Sequence, residues 1–138
     1  MIKIVCLNCK LNIQKNKKYC SNKCQVEYQY KQYISEWKNG NKTGMRGDYQ
    51  ISMYIKTYLF KKYDSKCFRC GWGEKNPYTN NIPLEIEHID GNYKNNSEEN
   101  LILLCPNCHS MTGTYKGANV NYGRKSRSKY YIGKEKQE

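Results

Sequence analysis

The sequence predicts a small α+β fold in two modules, held together by its cysteines rather than by a large apolar core. Three observations predict it. Eight cysteines fall into two groups of four, each built from two close pairs. Apolar and aromatic residues recur at helical spacing over 22–39 and 49–63, and two short runs, 84–90 and 101–104, have the alternation or apolar density of strands. The third is the thinness of the core: of 138 residues 38% are hydrophobic, but 14 of these are Tyr and only Ala118 is Ala. A chain this short with so little aliphatic content needs a staple.

The first module, residues 1–39, opens with Cys6-x2-Cys9 and Cys20-x3-Cys24. Each close pair forms a knuckle that offers two sulfurs to one ion, and four thiolates suit tetrahedral Zn²⁺. Ser21 is the expected N-cap of a helix in which Val26, Tyr30, Tyr33, Ile34 and Trp37 share a face. Asn39-Gly40 is its expected stop. Cys24 then falls in the first helical turn, as in treble-clef zinc fingers. The Tyr/Trp stripe could stack nucleic-acid bases, but its spacing fits the packed face of the helix better.

Residues 40–48, with three glycines, read as a linker. A second helix is expected over 49–63, with Ile51, Tyr54, Ile55, Tyr58 and Leu59 on one face. It opens a module spanning 49–116 that contains Cys67-x2-Cys70 and Cys105-x2-Cys108, the second four-cysteine zinc group. LEIEHID reads as a strand, GNYKNNSEEN as a loop and LILL as a short buried strand. Pro106 suits the first turn of a helix that carries His109 and Thr112. Residues 117–138 form a basic tail with little periodicity, expected to be extended or disordered.

The charge of +12 is unevenly spread. Residues 1–48 carry 10 basic and 3 acidic side chains, residues 49–116 carry 8 and 7, and residues 117–138 carry 6 and 2. Two basic flanks around a near-neutral centre attract a polyanion, with double-stranded DNA the expected partner. Eight thiolates holding two Zn²⁺ would lower the charge only to +8. No run reaches the length of a membrane span, and the start, MIKIVCLNCK, lacks a secretory apolar segment, so a cytoplasmic protein is expected. In a reducing compartment disulfides are disfavoured. Cys105-Pro-Asn-Cys108-His109 also fits the c-type haem attachment pattern, but haem would require export and would strand Cys67 and Cys70.

The chemistry gathers around the only two histidines, His88 and His109. His88 ends the first strand of the second module, and His109 follows the last cysteine of its zinc group. A zinc ion that clamps strand to helix is expected to make the two histidines face one another, with Glu87, Asp90 and Asn100 nearby. Glu87-His88-Ile89-Asp90-Gly91, then Asn100-Leu101, then Cys105 to His109 together resemble the HNH endonuclease family over residues 67–116. The N-terminal finger and Tyr-rich helix make the whole layout similar to small bacteriophage HNH proteins.

The resemblance implies a ββα-metal module that cuts DNA, leaving 5′-phosphate and 3′-hydroxyl ends. It implies His88 as general base, Glu87 and His109 as ligands of Mg²⁺ or another divalent cation, and Asn100 as the tie that orients the His88 loop. Elementary chemistry agrees: phosphodiester hydrolysis needs a base for water and a cation for the developing charge. Many relatives have Asp where this chain has Glu87. Strand alternation places Asp90, not Glu87, on the side of His88, so Asp90 is the alternative cation ligand. One site per chain implies that a monomer nicks one strand, and a double-strand break needs a homodimer or two successive nicks. The rival function is a non-catalytic zinc-finger protein that binds nucleic acid.

Overall fold

A computed structural model describes residues 4–119 of the chain, which divides into two compact units between Lys42 and Thr43. In the first unit a knuckle precedes a helix. Val5 and Asn12 form an isolated antiparallel bridge, Cys6 N–H donates to the Leu11 carbonyl at 2.8 Å, and Lys10 turns the chain at φ 64°. The helix α1 (Asn22–Lys38) starts where Ser21 accepts the Cys24 N–H at 3.2 Å. It stops in a Schellman arrangement. Gly40 N–H donates to the Trp37 carbonyl at 3.0 Å and Asn41 N–H to Glu36 at 2.8 Å, which requires the left-handed φ of 79° that Gly40 supplies. Of the expected apolar face, Ile34 and Trp37 are buried, whereas Val26 is exposed.

The second unit begins with a short antiparallel hairpin, β1 (Met45–Arg46) and β2 (Gln50–Ile51). This differs from the expected linker over 40–48, because Gly44 and Gly47 adopt positive φ and fold the segment back on itself. It also shortens the second helix. Ile51 is in phase with the helix but belongs to β2, and α2 runs over Met53–Lys62, capped by Ser52.

The strands β3 (Glu85–His88) and β4 (Leu101–Leu104) pair antiparallel, with Glu85 opposite Leu104 and His88 opposite Leu101. The helix α3 (Pro106–Ser110) packs on both, and α2 packs on β4. Ile55 and Leu59 from α2 and Leu101, Leu103 and Leu104 from β4 are almost wholly buried, and form the core that supports the site. Tyr58 and Lys62 of α2 hold Glu98, the Lys62 ammonium at 3.0 Å, which ties α2 to the 3-10 turn before β4. Among the described residues, no helix is long and apolar enough to cross a membrane.

The first residues of the expected tail, 117–119, are held in the fold. Residues 116–118 form a 3-10 turn, and the Asn119 side-chain amide donates to the Gly91 carbonyl at 2.7 Å. Gly91 lies at φ 73°, and a Cβ there would come within 2.7 Å of Thr114. Residues 120–138 lie outside the described residues.

Candidate active site and metal centres

The two cysteine groups expected from spacing are assembled in space. Cys6, Cys9, Cys20 and Cys24 form one, Cys67, Cys70, Cys105 and Cys108 the other, with all four sulfurs of each group within 4.8 Å of one another. Separations of 3.6 Å (Cys9–Cys20), 3.4 Å (Cys20–Cys24) and 3.8 Å (Cys70–Cys105) match the edge of a tetrahedron, about 3.8 Å for 2.3 Å metal–sulfur bonds. All eight cysteines are free, and these gaps far exceed the roughly 2.05 Å of a disulfide.

The first cysteine of each leading pair is prepared as a thiolate. Backbone N–H groups, that of Cys9 foremost, draw the Cys6 thiol down to about 6 against desolvation. Burial pushes Cys67 up, but N–H groups of Cys105, Cys70 and Arg69 outweigh it and bring that thiol to about 6. The crowded partners hold their protons instead: hydrogen bonding with Cys24 pushes Cys20 up to about 12, and burial pushes Cys108 up to about 12. Four sulfurs at this spacing cannot all ionise without a cation among them, and both groups fit one metal ion each.

Beside the second group, α3 brings His109 onto one face of β3. His109 Nε2 lies 2.9 Å from Glu87 Oε2, and His109 Nδ1 lies 2.5 Å from Glu85 Oε2. Thr114 Oγ1 donates to the other Glu87 oxygen, Oε1, at 2.6 Å. The ring of Tyr115 meets the His109 ring edge-on, with centroids 5.2 Å apart. Glu87 is buried, and no buried polar side-chain atom among the described residues lacks a partner. Two neighbouring ligands on an octahedral cation with bonds of about 2.1 Å stand about 3.0 Å apart. The Glu87–His109 spacing fits that edge.

His88 faces the other way. Alternation along β3 turns Glu85 and Glu87 to one side and His88 to the other, so the expected face-to-face histidines are not observed. His88 Nε2 lies 2.8 Å from Oδ1 of Asn96, a side chain 3% exposed. The Asn96 amide nitrogen donates to the Thr43 carbonyl at 3.2 Å and approaches Met45 Sδ at 2.9 Å, so the hairpin segment backs the His88 partner.

Asn100, also buried, ties the loop after β3. Its amide donates to Asp90 Oδ1 and to the Asn95 carbonyl, both at 2.8 Å, while its oxygen accepts the Asp90 N–H at 3.0 Å. Asp90, the alternative cation ligand on alternation, is engaged in this loop instead. It accepts from Asn92 N–H at 2.8 Å, Asn95 Nδ2 at 2.7 Å and Asn100 Nδ2. Desolvation raises its pKa, but these donors outweigh it and hold the carboxyl below its ordinary value. β3 ends at His88, where Gly91 N–H closes a turn onto the His88 carbonyl at 2.9 Å, so strand alternation does not extend to Asp90.

Sequence reasoning missed Glu85, Asn96 and Thr114. Glu85 was open to discovery, since it sits two residues before Glu87 on a strand and must share its face. Asn96 and Thr114 lie in irregular segments, where no periodicity reports a side chain's partner.

Two antiparallel strands and a helix joined by a four-cysteine group, with glutamate and histidine at the strand–helix seam, define a ββα-metal module. Residues 67–114 match the HNH endonuclease family. The chain is similar to "H-N-H endonuclease F-TflIV" of Escherichia phage T5, at 38% identity over 95 residues, covering 65% of this chain and 40% of that protein. It therefore spans less than half the length of that relative. No solved structure matches.

Proposed function

We propose that the protein is an endonuclease that hydrolyses phosphodiester bonds of double-stranded DNA with a divalent cation held by Glu87 and His109. The observation that carries this reading is the 2.9 Å approach of Glu87 to His109 inside the segment that matches the family. Mg²⁺ or a similar ion, when bound, would stabilise the charge that grows on the leaving 3′-oxygen.

The chain's own groups do the rest. Because the Asn96 amide nitrogen points at Thr43 and Met45, its oxygen faces His88 and accepts Nε2–H. That leaves the lone pair on His88 Nδ1, the atom that takes the proton from the attacking water. Glu87 and His88 are adjacent at the end of β3, so a phosphate placed there is reached from both faces of the strand. Thr114 holds Glu87 Oε1 and so presents Oε2. Asn100 fixes the loop that follows His88. The products carry 5′-phosphate and 3′-hydroxyl ends. A labelled DNA duplex cut with Mg²⁺ should therefore yield ends that a ligase rejoins, and ends that resist ligation until a phosphatase and kinase have exchanged them would overturn the assignment.

The two cysteine groups hold zinc in a structural role, and they leave the cation at Glu87 and His109 as the exchangeable one. Elemental analysis of protein purified without chelators should find about two zinc per chain. One zinc would demote one group, and iron would overturn the zinc assignment. The acting form is a monomer that nicks or a homodimer that breaks both strands, and the setting that fits is the cytoplasm of a bacterial host.

Affinity comes mostly from the basic flanks. Cutting the chain after Asn119 removes 6 basic and 2 acidic side chains while sparing the bond from Asn119 to Gly91. DNA binding should weaken and its salt dependence become shallower, with cleavage at saturating protein retained. An unchanged salt slope would show that the tail makes no phosphate contacts.

A further inference from the structure

We propose that Glu85 is a positioning residue: it accepts the Nδ1–H of His109 and so presents the Nε2 lone pair, beside Glu87, to the divalent cation. This rests on Glu87 and His109 as the cation-holding pair. The imidazole has two nitrogens, and a cation needs one of them unprotonated. Which one is free is decided by the partner of the other. Here the ring is bracketed on both sides, by Glu85 at Nδ1 (2.5 Å) and by Glu87 at Nε2 (2.9 Å).

The two carboxylates differ in surroundings. The Glu87 side chain is 9% exposed and its second oxygen is taken by Thr114, so it sits within the seam. The Glu85 side chain is 57% exposed, at the outer end of the strand. Glu87 is therefore placed to share the cation, and Glu85 to lock the ring from outside. Tyr115, edge-on at 82°, limits rotation of the ring about its own axis. A carboxylate on the far nitrogen both fixes the tautomer and makes the near nitrogen a stronger donor.

The test uses the zinc-loaded full chain and Mn²⁺ as probe. Because Glu85 is largely exposed, its replacement leaves no cavity, and unchanged zinc content and circular dichroism will confirm the fold. Glu85→Ala should weaken Mn²⁺ binding about 10- to 100-fold, while Glu85→Gln, which keeps an acceptor at Nδ1, should recover most of that loss. In ¹⁵N-labelled protein the His109 Nδ1–H signal should be sharp in the wild type, broadened by solvent exchange in Glu85→Ala, and restored in Glu85→Gln. Unchanged Mn²⁺ affinity in Glu85→Ala would overturn the proposal. So would a Gln variant as weak as the Ala variant, which would make Glu85 a direct ligand, and so would a wild type that binds no Mn²⁺. A wild type that binds Mn²⁺ and shows the expected variant pattern, yet cuts no DNA, would uphold the role of Glu85 and overturn the nuclease reading alone.

Discussion

His88→Ala should reduce DNA cleavage by roughly 10²–10⁴-fold, the usual cost of losing a positioned general base, while zinc content and DNA affinity stay at wild-type levels. The substitution touches neither cysteine group nor the Glu87–His109 pair, which lies on the other face of β3. It does remove the hydrogen bond between His88 Nε2 and Asn96 Oδ1. A lost hydrogen bond costs about 0.5–1.5 kcal/mol, so a slightly lowered Tm is expected and cleavage must be measured well below it. His109→Ala should behave differently. On the proposed roles it removes a cation ligand rather than the base, so raising the Mg²⁺ or Mn²⁺ concentration should restore part of its activity. Comparable dependence of both variants on the cation would show that the roles of the two histidines have been assigned wrongly.

Cys105→Ser should be the most disruptive single change in the second unit. Cys105 follows β4 directly, caps α3 by accepting the Cys108 N–H on its sulfur at 3.4 Å, and belongs to the second sulfur group. A structural zinc site contributes apparent binding free energy of about 10–16 kcal/mol, of the same order as the whole stability of a domain. Serine can still cap the helix, so the loss isolates the metal. We expect zinc content to fall from two to one per chain, cooperative melting of the second unit to be lost, and cleavage to vanish because His109 is carried by the same short helix. Retention of two zinc ions and a wild-type melting curve would show that three sulfurs suffice.

The parts of the fold legible in the sequence are those in which one local rule acts alone. Ser21 and Gly40 bracket α1 because capping chemistry is local, and the alternation of LEIEH and the apolar LILL mark β3 and β4. The cysteine groups were legible because the spacing of each close pair leaves few ways to offer two sulfurs to one ion. The hairpin was not, since two residues on each side carry no period and the three glycines of 40–48 read equally well as a flexible link. The start of α2 was misplaced because Ile51 happens to lie in helical phase.

At the site, the approach of Glu87 and His109 was open to sequence reasoning, and so was the turning of His88 away from Glu87, but the contact of His88 with Asn96 was not. Alternation was carried two residues past the end of β3, to Asp90, although the chain turns there and Gly91 N–H bonds back to the His88 carbonyl. The clamp of strand to helix was taken to bring the histidines together, whereas adjacent strand residues necessarily face apart. Asn96 depends on a contact with Thr43 and Met45 about fifty residues away, and no single-sequence pattern encodes that.

Cation-dependent cleavage is tested by incubating the purified zinc-loaded protein with supercoiled plasmid, once with Mg²⁺ and once with Mg²⁺ withheld. Relaxed circles, and linear DNA at longer times, are expected only where the cation is present and Glu87, His88 and His109 are intact. Protein that retains both zinc ions and binds the plasmid, yet leaves it supercoiled with Mg²⁺, Mn²⁺ or Ni²⁺, would contradict the nuclease reading.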